Sequence, residues 1–100
     1  MSYQTVVFNS SISRGGSLLR PDRIIIDDEF VTYEKRNSNF LSCDTITIPL
    51  RNVSAVKLDV HLVGTTIVIT SNGGERIVGE RFSRSDAVQI RDIILKRKSY

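Results

Sequence analysis

Residues 83–98 are the only stretch with clear helical signals, and they follow a long series of short β-like runs. Ser83 and Asp86 match the S-x-x-D pattern of a helix-capping box, and the KRK at residues 96–98 lies where the helix dipole favours cations. A helix of about 15 residues is only marginally stable alone in water. It must therefore pack against another element, and the preceding runs offer only a β-sheet.

Residues 44–50 (DTITIPL) show a clean alternation of apolar and polar side chains. Ile46, Ile48 and Leu50 share one face, which is typical of a half-buried antiparallel strand. Pro49 cannot donate a hydrogen bond to a neighbouring strand, so this strand must end there or lie at a sheet edge.

The same alternation continues in residues 53–61 (VSAVKLDVH). It predicts one face toward the core and one toward solvent. The inward residues are Val56, Leu58 and Val60, and the outward residues are Lys57, Asp59 and His61.

Further β-rich runs are separated by turn signals. They predict strands at residues 4–9, 23–27, 30–36, 65–70 and 75–82. An acidic tip at residues 27–29 separates the second and third runs. The sequence Asn72-Gly73 predicts a hairpin turn of the Asn-Gly type, and Gly79 within the last run predicts a bulge or a close approach of the backbone.

One hundred residues fit a single domain spanning 1–100. Residues 1–18 would supply a first strand plus a loop, or a flexible arm. Six or seven antiparallel strands followed by one helix predict a mainly β fold. The sheet would curl into a partly open barrel plugged by the helix, or form a roll with the helix laid across it.

Composition excludes several classes of protein. No apolar run approaches the roughly 20 residues that span a bilayer, and the first residues lack the pattern of a signal peptide. The single cysteine cannot form a disulfide framework, so a cytoplasmic location is expected. The net charge of +3 is weaker than the dense basic stripe of a nucleic-acid binder, so nucleic acid is not an expected partner.

The order of several short motifs resembles the bacterial pleckstrin-homology-like domains and their GRAM relatives. The motifs are Ile48-Pro49-Leu50 followed by Val53 and Val56, the NGG turn, and a Ser85-Asp86-Ala87 helix start followed by Ile90 and Ile94. The resemblance covers roughly residues 19–95. It implies a seven-stranded, partly open β-barrel capped by a C-terminal helix. It also implies binding or scaffolding, often with self-assembly or proximity to membranes, without catalysis.

The sequence departs from the phosphoinositide-binding members of that family. Those members carry a basic cluster around the first hairpin loop, whereas the first clear hairpin here has the acidic tip at residues 27–29. If residues 4–9 form the first strand, the first loop offers only Arg14 and Arg20. No lipid-binding residue is therefore transferred from the family.

Catalytic and metal sites have little support in the sequence. His61 is the only histidine, so it cannot pair with a second one at a zinc site or in acid–base catalysis. Cys43 has no neighbouring His or Cys and is expected to be a small structural hydrophobe. The acids at residues 27–29 lack the alternating spacing of a calcium loop. We expect no enzyme activity, no cofactor and no small-molecule substrate.

The predicted helix carries a very wide apolar arc. Ala87, Ile90, Ile93 and Ile94 form the expected docking stripe, opposite a polar face. Val88, Arg91 and Leu95 fall outside this stripe. Either a curved sheet wraps the helix and Arg91 reaches solvent from the rim, or these three residues form a second surface for another subunit or partner.

Two binding hypotheses follow. The first is a scaffold that associates with itself or with another protein through an edge strand or the helix. The second is peripheral binding of anionic lipid headgroups, since basic residues are scattered along the chain. The candidate contacts for an anionic ligand are Lys57, Arg76, Arg81, Lys96, Arg97 and Lys98.

Overall fold

The computed structural model describes residues 3–10, 21–36 and 43–98, with the side chains of Arg36 and Cys43 excepted. These residues form seven strands, one short 3₁₀ helix and one α-helix. In chain order they are β1 (Val6–Asn9), β2 (Arg23–Ile26), β3 (Phe30–Arg36), β4 (Cys43–Pro49), the 3₁₀ helix (Leu50–Asn52), β5 (Val53–His61), β6 (Gly64–Ser71), β7 (Arg76–Phe82) and α1 (Arg84–Arg97).

The strands form two antiparallel sheets that do not close on each other. The first sheet has the order β1-β2-β3-β4, and the second has the order β5-β6-β7. Within each sheet, strands that follow one another in the chain are paired, whereas β4 and β5 lie in different sheets and do not pair. The mainly β fold with a C-terminal helix is confirmed, with seven strands among the described residues.

The core lies between the sheets and under the helix. It is built almost entirely from β-branched and aromatic residues that alternate along the strands. In β6 the pattern is regular, with Ile67 and Ile69 fully buried between half-buried neighbours. Ile24 and Ile26 of β2 are fully buried in the same way, facing the core from the first sheet.

The helix docks on β5 and β6 through the predicted stripe. Ala87, Ile90 and Ile94 are fully buried, and Ile93 packs partly against the core. Ser83 is the N-cap, and its hydroxyl accepts a hydrogen bond from the backbone N–H of Asp86 at 3.1 Å. The predicted helix and its cap are therefore confirmed.

Two local predictions at strand ends are also confirmed. Pro49 ends β4, which lies at an edge of the first sheet. Gly79 marks a close approach, because a Cβ there would lie 3.0 Å from the Phe82 ring and 3.4 Å from Ile24. The glycine lets the ring lie against the backbone of β7.

The turn after β6 differs from the predicted Asn-Gly type. A two-residue turn of that type needs positive φ at both central residues, whereas the positive φ here belongs to Gly74, at 94°. The Gly74 N–H donates to the Ser71 carbonyl at 3.1 Å, and the Ser71 N–H donates to the Glu75 carbonyl. This is a three-residue loop whose last glycine takes the left-handed conformation.

The inward orientation predicted for Val60 does not bury it. Val56 and Leu58 pack partly against the core, but the side chain of Val60 is 61% exposed. Leu62 and Val63, at the turn between β5 and β6, are also exposed. The hairpin of β5 and β6 therefore extends past the core, and alternation alone could not show where the core ends.

Candidate interaction surfaces

The histidine and the acidic turn singled out in the sequence both lie in the part of the chain that the structure describes. His61 is exposed at the end of β5, as predicted. No group of three or more His, Cys, Asp or Glu side chains comes together there to hold a metal ion. The Asp27 carboxylate accepts hydrogen bonds from the N–H groups of Glu29 and Phe30 at 2.8 and 2.7 Å. This acid shapes the turn between β2 and β3.

The buried phenol of Tyr33 has a structural role. Burial, followed by the nearby carboxylate of Asp22, raises its pKa well above the usual range. The Tyr33 hydroxyl donates to the Asp22 carboxylate at 2.9 Å. This bond ties β3 to the residue that precedes β2.

A cleft of about 270 Å³ opens at the C-terminal end of the helix. Its walls carry charges of both signs, from Asp28 and Glu29 and from Arg51 and Lys98. Such a mixed lining has no strong preference for an anionic ligand. Arg97 also lines the cleft, but its side chain binds groups within the chain.

Arg97 is an internal anchor for the end of the helix. It is buried, and its Nη1 donates to the backbone carbonyls of Ile26 and Asp27, both at 3.1 Å. Its guanidinium lies 4.6 Å from the centre of the Tyr3 ring, within the range of a cation–π contact. We therefore leave Arg97 out of the candidate ligand contacts.

The other basic candidates do not form one cluster. Arg76 and Arg81 lie near opposite ends of β7, roughly 17 Å apart for a strand. Lys57 is on β5, whereas Lys96 and Lys98 are at the end of the helix. Arg14 and Arg20 of the first loop lie outside the described residues.

The predicted helix surface of Val88, Arg91 and Leu95 is only partly accessible. Val88 and Arg91 are half-buried, and the Arg91 Nε donates to the Asp92 carboxylate at 3.2 Å. Leu95 is 45% exposed. The exposed part of the wide apolar arc is therefore small, and the role of these three residues as a contact surface stays a prediction.

A longer surface runs along the outer edge of β5. This strand is the outermost of the second sheet, and no described strand pairs with its free side. It has nine residues, many of them exposed. Because alternate backbone N–H and C=O groups of an edge strand point away from its sheet, this edge can accept another strand.

The tip of the hairpin between β5 and β6 carries exposed apolar side chains. Leu62 is fully exposed, and Val63 is 81% exposed. The base of the tip lies against β7, since a Cβ on Gly64 would meet the Arg81 backbone at 2.9 Å. Gly64 has a φ of 142°, so this close approach requires a glycine. The sequence predicted the turn but not the exposure of its side chains.

Comparison with known proteins shows the fold alone. No family model and no curated protein sequence matches the chain. The crystal structure of the C-terminal domain of an unknown protein from Leishmania infantum is similar over 99% of this chain and 86% of that one, with a TM-score of 0.65 and 13% identity. Within the described residues no helix is long and apolar enough to cross a membrane.

Proposed function

We propose that this chain is a non-enzymatic binding or scaffold module of pleckstrin-homology-like architecture that self-associates through the free edge of β5. Two lines support the architecture: the order of seven antiparallel strands and a C-terminal helix, and the motifs at residues 48–56 and 85–94. A cytoplasmic location remains part of the proposal.

The open edge of β5 is the observation that carries this proposal. The three other edge strands are less suited to pairing. β1 has only four residues, and β4 ends in a proline. The pairing of β7 with β6 is irregular, and Arg81 near its end has a φ of 68°. The register of β5 with β6 also shifts once, between Val53 and Ala55, but it is then unbroken from Ala55 to His61. An edge of this kind favours strand addition.

Light scattering after gel filtration tests self-association directly. We expect the mass to rise from that of one chain to that of two as the protein concentration increases. Leu95→Glu should remain folded, because Leu95 is partly exposed, and should dimerise like the wild type. A chain that stays monomeric at high concentration would contradict the proposal. If Leu95→Glu is folded but monomeric, the interface is on the helix and not on β5.

The hairpin tip supports a second candidate function, peripheral contact with an anionic membrane. Leu62 and Val63 could enter the interface between lipid headgroups and acyl chains, with Arg81 near the tip's base. Flotation with vesicles containing phosphatidylserine, at low and high salt, tests it. Binding that salt weakens and Leu62→Ser abolishes would support this function, and no flotation at low salt would exclude it.

A further inference from the structure

The sequence of β5 is self-complementary about Leu58. In an antiparallel pair of identical strands related by a twofold axis, each residue faces one at an equal distance on the other side of the axis. With the axis at Leu58, Lys57 of each copy faces Asp59 of the other. We propose that two copies of this chain pair along β5 in this register, and this inference rests on the proposed self-association.

Charge on the outer face of β5 supports this register. Lys57 and Asp59 are accessible, with side-chain exposures of 71% and 42%, and their charged groups lie 3.9 Å apart within one chain. Pairing about Leu58 would bring the Lys57–Asp59 pairs of the two copies side by side, so that each charge faces one of opposite sign. Opposite charges facing each other across strands are favourable, and like charges are unfavourable.

Neighbouring registers lose this match. An axis at Lys57 would place the two lysines opposite each other, and an axis at Asp59 would do the same for the two aspartates. An axis at Val56 would place Lys57 opposite Ala55. Exposed ion pairs contribute little stability. The role of these charges is therefore to select the register. The backbone hydrogen bonds and apolar contacts would supply the affinity.

The inner face supplies the apolar contacts. In this register Val60 of each copy faces Val56 of the other, and the two Leu58 side chains meet at the axis. Val60 is exposed in the single chain, while Val56 and Leu58 are only partly covered. The pairing would therefore extend the apolar inner face from one copy to the next. It would also cover the side chain of Val60, which is exposed in the single chain.

Charge reversal tests the register. Lys57→Asp and Asp59→Lys each place like charges opposite each other in a homodimer, so we expect each variant to dimerise about tenfold more weakly. An equimolar mixture should recover the affinity of the wild type, because the heterodimer restores both opposite-charge pairs. The doubly substituted Lys57→Asp, Asp59→Lys chain should recover it as well. Sedimentation velocity over a concentration series measures the dimer affinity of the two single variants, of their mixture and of the double variant.

The controls separate the register from the proposed function. Lys96→Asp and Asp92→Lys make the same changes of net charge at exposed helix positions and should leave the dimer unchanged. Equal unfolding temperatures would show that the variants fold. A monomeric wild type would overturn the proposed function itself. A wild-type dimer that the single reversals do not weaken, or that the mixture does not restore, would overturn only this register.

Discussion

Phe82→Ala is expected to lower the free energy of unfolding by about 3–5 kcal/mol, the usual range for truncating a buried phenylalanine. The ring is fully buried at the point where β7 ends, directly before the N-cap of the helix. Its edge lies against Gly79, close to Ile24 and Tyr33 of the first sheet. Truncation would leave a cavity where the two sheets meet. Urea denaturation followed by circular dichroism measures the loss.

Phe30→Ala is the matched control for this substitution. Phe30 also lies at the end of a strand, but its side chain is 39% exposed, so about 1 kcal/mol is expected. If both substitutions cost the same, Phe82 would not be at the centre of the core. A loss below about 1 kcal/mol for Phe82→Ala would contradict the packing described for β7.

Arg97→Ala is expected to cost about 3 kcal/mol. Hydrogen bonds that involve a charged group contribute about 1.5–3 kcal/mol, and Arg97 donates two of them, to the carbonyls of Ile26 and Asp27. The substitution also removes the contact with Tyr3 and the packing of the aliphatic part of the side chain. Thermal and urea unfolding measure the cost, and faster amide exchange in the last helical turn would locate it.

Lys96→Ala is the control, because Lys96 precedes Arg97 in the helix and is exposed. The intrinsic helix propensities of lysine and arginine are similar, so both substitutions change the helix itself to the same extent. A change within about 0.5 kcal/mol is expected for Lys96→Ala. Equal effects at the two positions would show that Arg97 contributes only its charge to the helix end.

The sequence predicted those features that depend on local chemistry. Period-2 alternation located β4 and β5, and the Ser83–Asp86 pair located the start of the helix. The strand end at Pro49 and the close approach at Gly79 were predicted correctly, because proline lacks a backbone N–H and glycine lacks a Cβ. Each of these rules acts within a few residues.

Features that depend on distant parts of the chain were not predicted. Val60 continues the alternation of β5, but its burial depends on how far the rest of the core extends, so the predicted burial was wrong. The KRK at residues 96–98 was interpreted as cations at the helix end and as candidate contacts for an anionic ligand, whereas Arg97 reaches carbonyls of β2 and the turn after it. A signal did exist: Arg97 follows Ile90 and Ile94 at helical spacing and so continues the buried stripe.

The candidate surface was predicted only in outline. The sequence favoured an edge strand or the helix, but it could not say which strands would be edges, because that depends on how the seven strands divide between two sheets. Once β5 is at an edge, the order Lys57-Leu58-Asp59 becomes informative. In a central strand, the same three residues would indicate only that polar and apolar side chains alternate between the two faces of the sheet.

Hydrogen exchange of the β5 amides at several protein concentrations tests the central claim, that this chain associates through the free edge of β5. We predict that the amides of residues 55–61 that point away from β6 exchange more slowly as the concentration rises, while those of β4, the edge of the first sheet, do not change. Exchange in β5 that is independent of concentration, under conditions where light scattering detects a dimer, would contradict the claim.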